Sequence, residues 1–297
     1  MSGRPPRLGA HQSIAEGLHT CVLRGHLAGC DVLQIFTKSN HQWRARPLPA
    51  AEVDWFLAHV EAFSMPVVCA HASYLINLGS PDRNLGRRSY RALRTEVERC
   101  DLLAIPDLVL HPGAHVGSGL DAGMARIAGY LNRLCDDLPH SRTRFCLEGT
   151  AGAGTTIGSR FEELAWIADQ VQDQRRVSIC LDTCHLFAAG YDLVDAASWN
   201  RTVRDFDAIV GLGRLAVLHL NDSVGQRGSR RDRHAHIGAG CIGRDGFRHV
   251  VTDRRLGHLP MLLETPKGED LAEDRANLAV LRSLAGHDKG GPRRHRQ

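Results

Sequence analysis

Short apolar runs recur along the chain at fairly even intervals. They are Leu8–His11, Val32–Phe36, Pro66–His71, Leu108–His111, Arg144–Glu148, Val177–Asp182, Leu215–Leu220 and Pro260–Glu264. Each is short and rich in β-branched residues or leucine, as a buried strand is. Helical spacing fills the intervals. In Ala51–Phe63, the residues Val53, Phe56, Leu57, Val60 and Phe63 fall on one stripe, and Phe161–Val171 and Asn200–Val210 repeat the pattern. Successive runs begin roughly 25 to 45 residues apart, which leaves room for one helix after each strand. Eight β-then-α units of this size predict an α/β fold, a single-domain (β/α)8 TIM barrel over residues 7–285. A doubly wound open sheet would need fewer units and a glycine-rich phosphate loop after the first strand. Gly9-Ala10-His11 does not supply one.

The polar residues that end these runs carry the chemistry. Apolar side chains give way to a potential metal ligand at His71, His111, Glu148, Asp182, His219 and Glu264. One such ending is ordinary. In a parallel barrel, six converge on the C-terminal face, where barrel active sites lie. Three imidazoles and three carboxylates packed together need compensation for buried charge, which divalent cations supply. Further candidates are His185, three residues past Asp182, and the pair Asp232 and His234, which extended backbone would place on one side. Nine ligands exceed the need of one ion, so two or three metals are expected. Nitrogen and oxygen ligands without thiolate favour Zn2+, with Mn2+ or iron as alternatives. Clusters of that kind activate water for phosphoester cleavage. Among the other histidines, His11 is expected to support a ligand, His115 to lie in a loop, and His236, His249 and His258 to lie in loops or on the surface.

Composition narrows the setting. The chain has 297 residues, 43% hydrophobic and 24% charged, and a net charge of +4. That is a globular composition, mildly basic and compatible with a nucleic-acid partner. Nine cysteines without a CxxC pair predict buried reduced thiols, Cys180 and Cys184 among them, rather than a disulfide framework. MSGRPPRLGA holds no apolar run of a signal peptide, and no segment has the length of a membrane span, so a cytoplasmic, nucleoid-associated protein is expected. Residues 1–6 read as a flexible N-terminus and 286–297 (GHDKGGPRRHRQ) as a basic disordered tail.

With these residues in hand, the sequence resembles the endonuclease IV family of apurinic/apyrimidinic (AP) endonucleases. The blocks that carry the resemblance are HASYLINLGSP at 71–81, LHPGAHVGSG at 110–119, LEGTAGAGTTIGSRFEELAWI at 147–167, LDTCHLFAAGYDL at 181–193, LHLNDSVGQRGSRRDRHAHIGAG at 218–240 and LLETP at 262–266. The resemblance implies a monomeric DNA-repair hydrolase with three zinc ions. It would cut the phosphodiester 5′ to an abasic site in double-stranded DNA, leaving a 3′-hydroxyl and a 5′-deoxyribose phosphate, and trim blocked 3′ ends. It further implies that His71, His111 and Glu148 hold one metal. Glu148, Asp182, His219 and Glu264 would hold a second, and His185, Asp232 and His234 a third. Glu264 or Glu148 would orient the attacking water. Gln42 and Tyr74 would push into the duplex at the lesion, and Arg44, Arg46, Arg230, Arg231 and Arg233 would grip phosphates.

Departures from the family pattern are His41 beside Gln42, Gly149, Ala153, Ala239 and Cys241. None is a proposed ligand. A sugar isomerase of the same barrel class would use Glu148, Asp182, His219 and Glu264 but leave His71, His111, Asp232 and His234 without a role. A DNA-damage binding protein without catalysis would need an incomplete ligand set.

Overall fold

The computed structural model describes residues 5–286; the two expected tails lie almost wholly outside the described residues. The eight barrel strands are β1 Arg7–Gln12, β2 Val32–Phe36, β3 Val67–His71, β4 Asp107–Leu110, β5 Arg144–Glu148, β6 Val177–Asp182, β7 Leu215–His219 and β8 Pro260–Leu263. All neighbouring pairs are parallel, and the sheet closes where β8 pairs with β1. This is the expected TIM barrel, with the strands at the expected places to within a residue or two.

The helices are α1 Leu18–Ala28, α2 Ala50–Ala62, α3 Arg83–Leu102, α4 Leu120–Asp137, α5 Phe161–Gln170, α6 Thr183–Ala189, α7 Ala196–Ile209, α8 Gly243–Val251 and α9 Ala272–Leu284. Local chemistry sets their ends. The Asp82 carboxylate caps α3 by accepting from the Asn84 and Leu85 amides, and α1 stops at Gly29, whose φ of 79° is left-handed. The stripe expected on the second helix is less buried than its pattern suggests. Phe56 is fully enclosed but Leu57 is 37% exposed, because α2 packs largely against α1 rather than flat on the barrel. No helix among the described residues is long and apolar enough to cross a membrane. The nine thiols are free; seven are buried, and Cys135 and Cys241 are half-buried.

The barrel interior explains where the polar endings point. Val32, Cys69, Val109, Cys146, Cys180, Val217 and Leu262 form one enclosed layer, one residue from each of seven strands. Two residues further along lie Gln34, His71, His111, Glu148, Asp182, His219 and Glu264. Side chains alternate along a strand, so these share the inward direction of the layer beneath. On β1 the same step leads from Gly9 to His11. Each strand thus gives one polar group to a ring at the barrel mouth. Gly9 is required here, since a Cβ would sit 1.8 Å from the Val32 carbonyl oxygen.

Candidate metal centre

The ring closes around Glu148, which is fully buried on β5. Its carboxylate lies 3.1 Å from His71 Nε2, 3.1 Å from His111 Nε2, 2.9 Å from His219 Nδ1 and 3.5 Å from His185 Nδ1. Glu264 Oε2 is 3.2 Å from His219 Nδ1, and Asp182 Oδ2 is 4.0 Å from the same nitrogen. Beyond the ring, Asp232 Oδ1 lies 3.2 Å from both His185 Nε2 and His234 Nε2. His185 comes from the first turn of α6, which Asp182 caps by accepting from the His185 amide at 2.9 Å. His234 belongs to a short antiparallel ladder in which Asp222–Ser223 pairs with His234–Ala235.

The nine residues fall into three groups whose ligand atoms lie within 4.8 Å of one another. These are His71, His111 and Glu148; Glu148, Asp182, His219 and Glu264; and His185, Asp232 and His234. They match the three sets that the family resemblance implies. Cys180 and Cys184 also come within reach of the second and third groups, but burial pushes their thiols up, Cys184 to about 12 and Cys180 well above its ordinary value.

Two observations test whether cations fit. The Nε2 atoms of His185 and His234 are buried with no hydrogen-bond partner; their contacts with Asp232 lack the alignment of a hydrogen bond. A polar atom left so is costly unless something occupies the space it faces. The second is tautomer control. Nδ1 of His71, His185 and His234 is held by the carbonyls of Ala72, Gly149 and Glu264 at 2.7, 2.9 and 3.1 Å. With Nδ1–H donating to a carbonyl, each imidazole turns a lone pair on Nε2 toward the cluster, as ligation requires. The contact from His185 reaches a backbone oxygen, so the departure at Gly149 removes nothing from it.

Electrostatics agree. Burial alone would lower His219, yet Glu264 and Glu148 outweigh it and lift the ring to about 9. His234 reaches about 9 in the same way, against burial and through Asp182 and Asp232. His185 is raised well above its ordinary value, again despite burial, by Asp182 and Asp232. Burial would raise Glu148 and Glu264, but the histidines hold Glu148 well below the usual carboxylate range and bring Glu264 to about 2. In the absence of metal, protons do the work of cations in neutralising this cluster.

His11 lies behind the candidate ligand Glu264, Nδ1 3.9 Å from its carboxylate, and is kept neutral. Burial takes its pKa down to about 3, and Nδ1 accepts from Gln34 Nε2 at 3.0 Å. Gln34 and Asn221 were not anticipated. The Gln34 amide donates to Glu264 and accepts from His219 Nε2 at 2.8 Å. Asn221 donates to Asp182 Oδ2 at 2.6 Å and accepts the Glu264 amide at 2.8 Å. A signal for Gln34 was present: it stands in the inward register of β2, two residues after Val32, where the other strands place ligands. Of the remaining histidines, His115 lies in a loop with an unpartnered Nδ1, His236 and His258 are exposed, and His249 is half-buried on α8.

The residues expected to meet DNA are at the mouth or on its loops. Tyr74 is 59% exposed, its ring 5.3 Å from that of His71 and 6.2 Å from that of His111. Gln42, Arg44, Arg230, Arg231 and Arg233 are exposed. Arg46 is exposed too, and its guanidinium makes two hydrogen bonds of 2.6 and 2.7 Å to Glu52.

Comparison with known proteins agrees with this geometry. The family model described as the xylose isomerase-like TIM barrel matches residues 25–284. The probable endonuclease 4 of Chloroflexus aggregans is 49% identical over 279 residues, covering 94% of this chain and 98% of its own. That of Geobacter sulfurreducens is 44% identical over 277 residues, covering 93% and 94%. The crystal structure of endonuclease IV from Thermus thermophilus superposes with a TM-score of 0.83 at 38% identity, covering 95% of this chain and 99% of that one. The fold, the inward ring of potential ligands and these likenesses together make the chain a member of the endonuclease 4 family, a group of nucleases within the xylose isomerase-like TIM barrels.

Proposed function

We propose that this hydrolase incises double-stranded DNA on the 5′ side of abasic sites, leaving a 3′-hydroxyl and a 5′-deoxyribose phosphate, and trims blocked 3′ ends. One observation carries the reading: nine side chains able to ligate metal converge in three groups at one mouth of the barrel, beside an exposed tyrosine and free arginines. A sugar isomerase has no use for the group of His185, Asp232 and His234. Three zinc ions, one per group, are the cofactor set of this reading, with manganese an alternative at one or more positions. The protein acts as a monomer in the cytoplasm.

The residues divide the work. Bound cations supply Lewis acidity for water activation and for neutralising charge at phosphorus. Glu148, fully enclosed between three imidazoles, holds the first two groups together. Glu264, ionised at neutral pH and reaching toward the mouth, takes a hydrogen bond from the attacking water and orients it. Gln34 and Asn221 fix the rotamer of Glu264 and the amide behind it. Tyr74 and Gln42 enter the duplex at the lesion, where a missing base lowers the cost of unstacking. Arg44, Arg230, Arg231 and Arg233 take the flanking phosphates.

The test is incision of a duplex carrying one tetrahydrofuran analogue, with metal content read on the same preparation. The analogue cannot undergo β-elimination, so a cut must be hydrolytic. A 5′-side cut by protein holding about three zinc per chain, abolished in a folded Glu264→Ala variant, is the expected result. A fully metallated protein that leaves the analogue intact would refute the reading.

A further inference from the structure

Helix α3 makes contacts that the proposed chemistry does not use. It lies behind two loops at the mouth, residues 37–49 after β2 with Gln42 and Arg44, and residues 72–82 after β3 with Tyr74. Glu96 of α3 is 1% exposed and Lys38 is 5% exposed. The Glu96 carboxylate lies 3.3 Å from Lys38 Nζ and accepts the Ser73 amide at 3.2 Å. Lys38 Nζ in turn donates to the carbonyl of Gln42 at 2.7 Å and of Ser39 at 3.2 Å. One helical turn on, Arg99 donates to the carbonyls of Thr37 at 2.9 Å and Arg46 at 3.0 Å, spanning most of the first loop. Near the other end of the helix, Arg88 lies 4.4 Å over the Trp43 ring, and Ser89 Oγ accepts the Asn77 amide at 2.9 Å. The loops are also joined directly, Ser73 Oγ donating to the Asn40 carbonyl.

We propose that Lys38, Glu96 and Arg99 are positioning residues that set the Gln42 and Tyr74 loops as one rigid body, so that discrimination of damaged from intact DNA depends on them while bond cleavage does not. The inference rests on the reading that these loops meet the damaged strand. A buried ion pair is a poor device for stability, because desolvation offsets its attraction and apolar residues of the same size serve as well. Here the hydrogen bonds left over from the pair go to loop backbone, to Gln42, Ser39 and Ser73. They fix the base of each exposed side chain. Ordering a loop residue costs about 1–2 kcal/mol in conformational entropy. A loop ordered beforehand does not pay that on binding. The neighbours Ser39, Asn40 and Ser73 hold no charge that could take over from Lys38 or Glu96.

The experiment uses the metallated full chain, as wild type, Glu96→Gln and the double variant Lys38→Met/Glu96→Leu. Single-turnover incision of the tetrahydrofuran duplex gives the half-saturating concentration and the limiting rate. An intact duplex as competitor gives discrimination, and hydrolysis of bis(p-nitrophenyl) phosphate reads chemistry that needs no duplex. Both variants are expected to raise the half-saturating concentration for the lesion about tenfold or more, the scale of a misplaced positioned group. Affinity for intact duplex, small-diester hydrolysis and zinc content stay at wild-type values. The double variant, which leaves no unpaired buried charge, recovers the thermal midpoint without recovering discrimination. Wild-type discrimination in the double variant would overturn the proposal and leave the pair a purely structural element. Wild-type protein that hydrolyses the small diester but not the lesion duplex would overturn the functional reading, and this inference with it.

Discussion

Stripping the metals should reverse the pH dependence of stability. In the metal-free protein His219 and His234 titrate near 9, against about 6.5 in the unfolded chain. A group whose pKa is raised on folding contributes stability that is complete below its unfolded pKa and disappears as pH climbs through its folded one. The window is therefore about 6.5 to 9. At 1.36 kcal/mol per unit, either imidazole contributes about 3 kcal/mol. For a chain of this size one kcal/mol moves the midpoint by roughly 2 °C, so each would lower it by roughly 6 °C across the window. His11 does not interfere, because its pKa of about 3 confines its effect to lower pH, where it acts against stability. Glu264, brought to about 2, matters only below the ordinary carboxylate range. The metallated protein should behave oppositely, since cations need the deprotonated rings and gain affinity as protons leave. Calorimetry of chelator-treated and metallated samples from about pH 6.5 to 9 reads both trends. A metal-free midpoint that is flat or rises over that window would refute the electrostatic account of the cluster.

Three further outcomes follow from the geometry. Asp222 accepts five backbone amides, from Ser223, Gly238, Gly240, Ile242 and Gly243. Asp222→Ala should cost about 5 kcal/mol at roughly 1 per orphaned donor, and empty the group of His185, Asp232 and His234 first; metal analysis and thermal melts would show neither if the loop holds itself. Gly9→Ala drives a Cβ into the Val32 carbonyl and should cost about 3 kcal/mol or more; a denaturant midpoint equal to wild type would contradict the register of β1 on β2. If Arg44, Arg230, Arg231 and Arg233 each meet a phosphate, removing any one should make the salt dependence of duplex affinity shallower by about 0.9 in the log–log slope. An unchanged slope would take that arginine off the DNA.

Much of the fold was legible because parallel barrel strands are buried on both faces and read as unbroken apolar runs. The candidate ligands on the strands were legible for a related reason: a histidine or carboxylate that ends such a run is conspicuous. Gln34 was not, because it lies inside VLQIF, followed by two more apolar residues, and the eye passes over an uncharged amide. Only the period-two register shared with Val32 marks it. Asn221 and Asp222 lie in a block already rich in polar residues, so nothing in their spacing separates a hydrogen-bond hub from a solvated loop. The pairing of Arg46 with Glu52 joins a loop to the first turn of α2 and depends on how the chain turns at Pro47 and Pro49. The exposure of Leu57 depends on which helix α2 leans against, which periodicity cannot register.

The cysteines give this protein a set of internal reporters. Cys69, Cys146 and Cys180 fill the barrel interior, Cys100 is enclosed on the helix that splints the mouth, and Cys184 lies beside the cluster, whereas Cys135 and Cys241 are partly open. An alkylating reagent reaches an enclosed thiol only when the structure over it opens. Labelling of Cys135 and Cys241 would time surface access, that of Cys184 the breathing of the loops around the candidate metal centre, that of Cys100 the detachment of α3, and that of the interior trio the opening of the barrel itself. Resolved residue by residue, one time course of alkylation would order these motions by rate without any engineered probe.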